Sequence, residues 1–194
     1  MRKLAVWILV MVFPLIMLSS CSLSGNEYKN LCGFTKSLIG KDISSAESMI
    51  EKQYGIELTR GEPAYRNSAS LKGTKISEDY YEYKVVFTTC GIQFDTICLI
   101  YNNFKNDGYD GTICSVQFTS HQMSRSDAEK KFKTFSDEYS KFLKVSKDAE
   151  SIGFEDDLSV SSSYVERNYH FFFDYYYSAH NNSTSFSAGC SGRT

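Results

Sequence analysis

Residues 168–178 read Asn-Tyr-His-Phe-Phe-Phe-Asp-Tyr-Tyr-Tyr-Ser, with seven aromatic side chains in eleven positions. In an extended chain successive side chains point to opposite faces. Tyr169, Phe171, Phe173, Tyr175 and Tyr177 therefore share one face, while His170, Phe172, Asp174 and Tyr176 share the other. Aromatic residues fit a pleated, half-buried surface, so this segment is a strand, and both of its faces need cover. A sheet backed by helices is the smallest architecture that supplies it. The continuous five-aromatic face is expected to be the buried one. The face with His170, Asp174 and Tyr176 is more polar and is the candidate surface for a partner or solvent.

Two segments can supply the helical cover. Ser126 to Glu129 is a capping box, in which each side chain satisfies the other's backbone N–H. Ala128, Phe132, Phe135, Tyr139, Phe142 and Leu143 follow at helical spacing and form a stripe wide enough to cover a sheet. Glu129/Lys133 and Asp137/Lys141 lie opposite, acid first at i,i+4, and Lys141, Lys144 and Lys147 suit the carboxyl end of the helix dipole. Ser44 to Glu47 is a second box, with Ala46, Met49, Ile50 and Tyr54 on one face and Gly55 placed to terminate. Both helices open with Ser-x-Ala-Glu. This indicates either a helix-then-hairpin unit used twice or two capping boxes that coincide by physics.

Further strands are expected at Ile56–Arg60, Tyr80–Thr88, Ile92–Tyr101 and Thr112–Thr119. Tyr81, Tyr83, Val85 and Phe87 should face the core, with Glu82 and Lys84 on the other side. Loops are expected at Gly61–Ile76 and Asn102–Gly111. Glu150–Ser163 reads as irregular with a strand at Leu158–Ser162. Ala179–Thr194 reads as a polar tail with at most a weak strand near Phe186. Short connections between strands make a meander. The expected class is α+β, an antiparallel meander sheet covered by two amphipathic helices.

Arg2 and Lys3 precede an unbroken apolar run from Leu4 to Leu18. As a helix it would rise about 22 Å, short of the roughly 30 Å hydrocarbon core, so it reads as a secretory signal. It ends in Leu18-Ser19-Ser20-Cys21, which resembles the lipobox of bacterial lipoproteins: an aliphatic residue, two small ones and a cysteine. The resemblance implies a signal peptide over residues 1–20 and acylation of Cys21. It also implies anchoring of the chain to the membrane through acyl chains, two or more of which hold stably. Ser22 after the cysteine implies the outer membrane if the cell is Gram-negative. Residues 21–41 are then a lipidated tether, of which Leu31, Phe34, Leu38 and Ile39 could dock on the domain, and residues 42–194 one α+β domain with a flexible polar tail. In outline the chain is similar to the small lipoproteins of the outer-membrane barrel-assembly machinery.

Without residues 1–20 the chain keeps 19 of its 21 basic residues and all 23 acidic ones, a net charge near −4. That argues against nucleic acid as a partner. Cys32, Cys90, Cys98, Cys114 and Cys190 include no CxxC and no finger-like Cys/His spacing, and their spacing leaves the disulfide pattern open. Cys98 and Cys114 fall in alternating segments and suit small core positions. His121, His170 and His180 have no G-x-S-x-G partner, so no nucleophilic triad is legible and they read as structural or solvated. Asn106–Gly111 looks calcium-like, but Gly108 falls where an oxygen ligand is needed and Gln117 where the bidentate Glu belongs, so it reads as a hairpin turn. Glu155-Asp156-Asp157 reads as a solvated acidic loop. No catalytic residue, metal or cofactor is assigned. The expected function is a lipid-anchored, non-enzymatic envelope module that binds a protein, peptide or glycan. The alternatives are an envelope hydrolase with dispersed catalytic residues and a purely structural lipoprotein.

Overall fold

A computed structural model describes residues 25–66, 78–102, 111–152 and 157–192. Cys21, the apolar run before it and the calcium-like turn lie outside these residues. Helix α1 spans 25–38. It is followed by α2 (Ile43–Tyr54), β1 (Ala64–Arg66), β2 (Glu78–Thr89), β3 (Ile92–Asn102), β4 (Ile113–Ser120), α3 (Arg125–Tyr139), β5 (Lys144–Ile152), β6 (Leu158–Glu166), β7 (Tyr169–Ser178) and β8 (Ser183–Gly192).

The strands form one eight-stranded antiparallel sheet in the order β1-β2-β3-β4-β8-β7-β6-β5. The fold is α+β. Each half is a helix followed by a four-stranded meander, and the halves join where β4 pairs with β8, so the order is palindromic. The repeated Ser-x-Ala-Glu marks the matching helices, and its alanines, Ala46 and Ala128, are both fully buried. The repeat unit carries four strands rather than the expected hairpin.

All three helices lie on one face. Phe135 and Phe132 of α3 pack edge-on or tilted against Phe173 and Phe186, with ring centroids 4.9–5.5 Å apart. Tyr54 of α2 meets Phe87 and Phe118. Helix α1 bridges the other two, Tyr28 meeting Phe135 and Phe34 meeting Tyr54. Such tilted and edge-to-face pairs add about 0.5–1.5 kcal/mol each beyond area burial. Phe173 is fully buried and Tyr175 nearly so, which puts the five-aromatic face of β7 towards the helices as expected.

Several boundaries differ from the sequence reading, each for a local reason. Both helices start two residues early. Asp42 and Ser124 are the N-caps, accepting from the backbone N–H groups of Ser45 and Asp127, because a cap three residues ahead of a polar first turn serves the same orphan donors. Residues 25–38 are helix rather than tether, with Tyr28, Leu31, Cys32 and Leu38 buried. Residues 56–60 form no strand: Leu58 N–H donates to Glu51, and Arg60 donates to Glu47, so side chains take the place of a ladder. Helix α3 ends at Tyr139. Lys144 and Lys147 therefore belong to β5, which occupies part of the stretch expected to be irregular. The expected flexible tail is β8, a central strand in which Phe186, Ala188 and Cys190 are fully buried.

Candidate functional site on the helix-free face of the sheet

The strand register brings together side chains far apart in sequence on the face opposite the helices. One row crosses six strands through Lys84, Thr96, Thr119, Ser187, Asp174 and Ser161. The next row runs Glu82, Cys98, Gln117, Gly189, Phe172 and Ser163. Both rows cross the junction of the two halves, so neither half owns this face alone. The hydroxyls in the middle, of Thr96, Thr119 and Ser187, are buried. Thr119 and Ser187 share a hydrogen bond of 3.2 Å, and Lys84 Nζ donates to Thr96 Oγ1 at 3.2 Å.

His170, Asp174 and Tyr176 all lie on this face, spaced along β7. Tyr176 is 42% exposed, whereas Tyr175 beside it is 6% exposed on the helix side. The Tyr176 hydroxyl donates to Asp157, whose other oxygen accepts from the Ala179 N–H at 2.8 Å. The Tyr176 bond holds the Asp157 carboxyl below its ordinary range, and Asp157 in turn raises the phenol. Asp157 is the part of the acidic cluster that the structure describes, and it fixes the Tyr176 ring. Asp174 is half-buried; burial pushes its carboxyl up to about 6, against a lowering contribution from the Ser187 hydroxyl. Half-buried His170 is paired in register with Ser191 and Val165, roughly 13 Å along the strand from Asp174.

Phe172 has a distinct role. A Cβ at Gly189 would come within 2.1 Å of the Val116 carbonyl and 2.6 Å of the Phe172 ring. The glycine is thus required by close backbone approach, and the aromatic ring lies across it, covering an otherwise bare stretch of sheet.

At the Lys84 end of the first row a cleft of about 610 Å³ opens beside Asp95, Thr96, His121 and Gln122. A bulge in β2 between Lys84 and Phe87 adds one residue against β3, and Val86 within it is 60% exposed. Asp95 accepts from both the backbone N–H of His121 at 2.9 Å and its Nδ1 at 2.7 Å. Burial favours a raised Asp95 carboxyl, but these bonds together with one from Thr96 hold it below the ordinary range. The clamp engages Nδ1 of an imidazole that is otherwise exposed.

The sequence reading placed His121 only as a residue after a strand and did not see Asp95. The signal lay in the β3–β4 register: Thr96 opposite Thr119 brings residue 95 beside the end of β4. The other catalytic candidates stay apart. Cys32, Cys90, Cys98, Cys114 and Cys190 form no disulfide. Burial pushes the thiols of Cys32, Cys90 and Cys190 up to about 12, which leaves them protonated and poorly nucleophilic. Cys114 is buried as expected, and its thiol points at the Ile100 carbonyl; Cys98 is only half-buried, on the helix-free face. Among the described residues no cluster of three or more His, Cys, Asp or Glu side chains could hold a metal. Among them, too, no helix is long and apolar enough to cross a membrane.

No family model, curated protein or solved structure matches the chain.

Proposed function

We propose that this chain is a lipid-anchored module of the bacterial cell envelope that binds a protein, peptide or glycan across the helix-free face of its sheet. One observation carries the reading: all three helices pack on one side, and on the opposite side an exposed Tyr176, fixed by Asp157, stands beside rows of side chains that cross six strands. Aromatic side chains that are rigid, amphipathic and partly exposed are the usual anchors of binding surfaces. The lipobox residues Leu18 to Cys21 support the anchor, and Ser22 supports the outer membrane. A sheet built from two similar halves offers a wide, stiff platform, and stiffness lowers the entropy lost on binding.

A second reading is favoured by a specific geometry. The Asp95–His121 pair has the arrangement of a general base and its orienting acid, and both residues line a cleft. The two readings separate by mutation. Under the binding reading, Tyr176→Ala weakens envelope-partner binding by about 2 kcal/mol with an unchanged melting temperature, and His121→Ala leaves binding intact. Tyr175→Ala, in the core, lowers the melting temperature instead. A hydrolytic activity lost in His121→Ala and kept in Tyr176→Ala would put the second reading in place of the first.

A further inference from the structure

Helix α1 carries Lys29, Gly33 and Lys36 on one face, at i, i+4 and i+7. Gly33 lies inside the helix, where glycine is less favourable than alanine. Neither backbone nor packing asks for it: its φ is not positive, and a Cβ placed there would meet nothing within 4 Å. The space it leaves open belongs to a cavity of about 180 Å³ between α1, the α3–β5 connection and the β6–β7 hairpin. Cys32, Phe142, Leu143 and Phe171 give this cavity apolar walls. Exposed Lys29 and Glu166 and half-buried Lys36 stand at its mouth. Lys29 Nζ lies 5.7 Å from the centroid of the Phe142 ring, and Lys36 Nζ pairs with Glu166 at 2.7 Å.

We propose that this cavity takes the aliphatic chain of a free long-chain fatty acid, with the carboxylate held at the mouth by Lys29 and Lys36. The inference goes beyond the binding reading and does not rest on it, because the two sites share no residue. A volume of about 180 Å³ is below the roughly 300–1,000 Å³ of pockets for drug-sized molecules, so it suits one narrow chain rather than a ring system. Gly33 and Lys36 also line an adjoining open trough of about 600 Å³ that runs to Met49, into which a longer chain can continue. Two ammonium groups against the Glu166 carboxylate leave the mouth one positive charge, which matches a single fatty carboxylate. An ammonium has three donors, so Lys36 can serve Glu166 and the ligand together. Gly33 then has a use: a side chain there would stand in the path of the ligand.

The test uses the full chain in phosphatidylcholine nanodiscs, whose lipid carries no net charge. The probe is palmitic acid with a diazirine in its chain, crosslinked by light and mapped by mass spectrometry. Labelling is expected at the wall residues Cys32, Phe142, Leu143 or Phe171. Unlabelled palmitate should displace the probe at a concentration at least about tenfold below that of palmityl alcohol, which lacks the charge. Gly33→Leu should abolish wall labelling, and Gly33→Ala should raise the melting temperature, as relief of an unneeded glycine requires. Lys29→Gln should weaken labelling about threefold, while Lys133→Gln, at an exposed position of α3, should leave it unchanged. The acid–alcohol comparison needs no variant, so it stands even if Gly33→Leu perturbs α1. No wall labelling, undiminished labelling in Gly33→Leu, equal displacement by the alcohol, equal effects of Lys29→Gln and Lys133→Gln, or a lowered melting temperature in Gly33→Ala would overturn the proposal. Cys21 lies four residues before the start of α1, so the chain's own acyl group is the competing occupant. Under the lipoprotein reading, protein from cells fed the diazirine acid carries the probe on Cys21. Wall labelling by that chain would assign the cavity to the anchor and overturn the free acid. Loss of labelling in phosphatidylglycerol nanodiscs would move the ligand to an anionic membrane lipid and overturn it likewise.

Discussion

Asp174 is a half-buried carboxylate on the helix-free face of β7. Its carboxyl titrates near 6 in the folded chain, against about 3.9 unfolded. Between those values the native state holds the extra proton, so this group makes stability fall as pH rises. Urea melts at pH 4.5 and 7.5 should show the wild type losing on the order of 2 kcal/mol more than Asp174→Asn across that interval. Identical losses would mean that the carboxyl is solvated. Asp95 has the opposite sign, its stabilisation being lost only as pH falls through its lowered range, and comparison with the variant removes its contribution. At this scale the sequence was informative about alternation and silent about partners. The period of two placed Tyr176 and Asp174 on one face and Tyr175 on the other. It could not show that Asp157 fixes Tyr176, or that Asp95 clamps His121, because those pairs depend on register and turns between strands.

At the scale of elements, α3 was the most legible, since its stripe repeats over four turns and its caps are polar. Ala128, Phe135 and Tyr139 are buried, Phe132 only partly. Phe135→Ala should cost about 3–5 kcal/mol in denaturant melts, Phe132→Ala less, and the exposed Lys133→Ala under about 0.5 kcal/mol. Comparable effects at Phe135 and Lys133 would contradict the packing. Helix α1 and strand β8 were misread for a shared reason: both are rich in small or polar residues, so their local signal is weak. In β8 the residues Ser183, Ser185, Gly189 and Ser191 suggest a tail. The strand is nevertheless central, because β7 pairs with it along its whole length and β4 along residues 186–191, and Phe172 fills the space above Gly189. In 25–38 the buried apolar anchors are Tyr28, Leu31, Cys32 and Leu38, and the helix meets α3 through Tyr28 and α2 through Phe34. Tertiary packing outweighed local propensity in both places.

The whole molecule is a two-half platform with its helices on one side. The palindromic strand order was foreshadowed by the two Ser-x-Ala-Glu openings, although four residues could not reveal where the halves would join. The anchor is read from sequence alone. Cys21→Ser should abolish metabolic palmitate labelling and leave the precursor uncut; undiminished label would refute the lipoprotein reading. The central claim concerns which side of the platform meets a partner. A photo-crosslinking amino acid placed at Gln117 or Tyr176 on the helix-free face, and at Lys133 or Asp137 on the outer surface of α3, tests it in intact cells. The account predicts a discrete crosslinked product from positions 117 and 176 and none from 133 or 137. Products from the α3 positions alone would contradict it and move the working surface to the helical side.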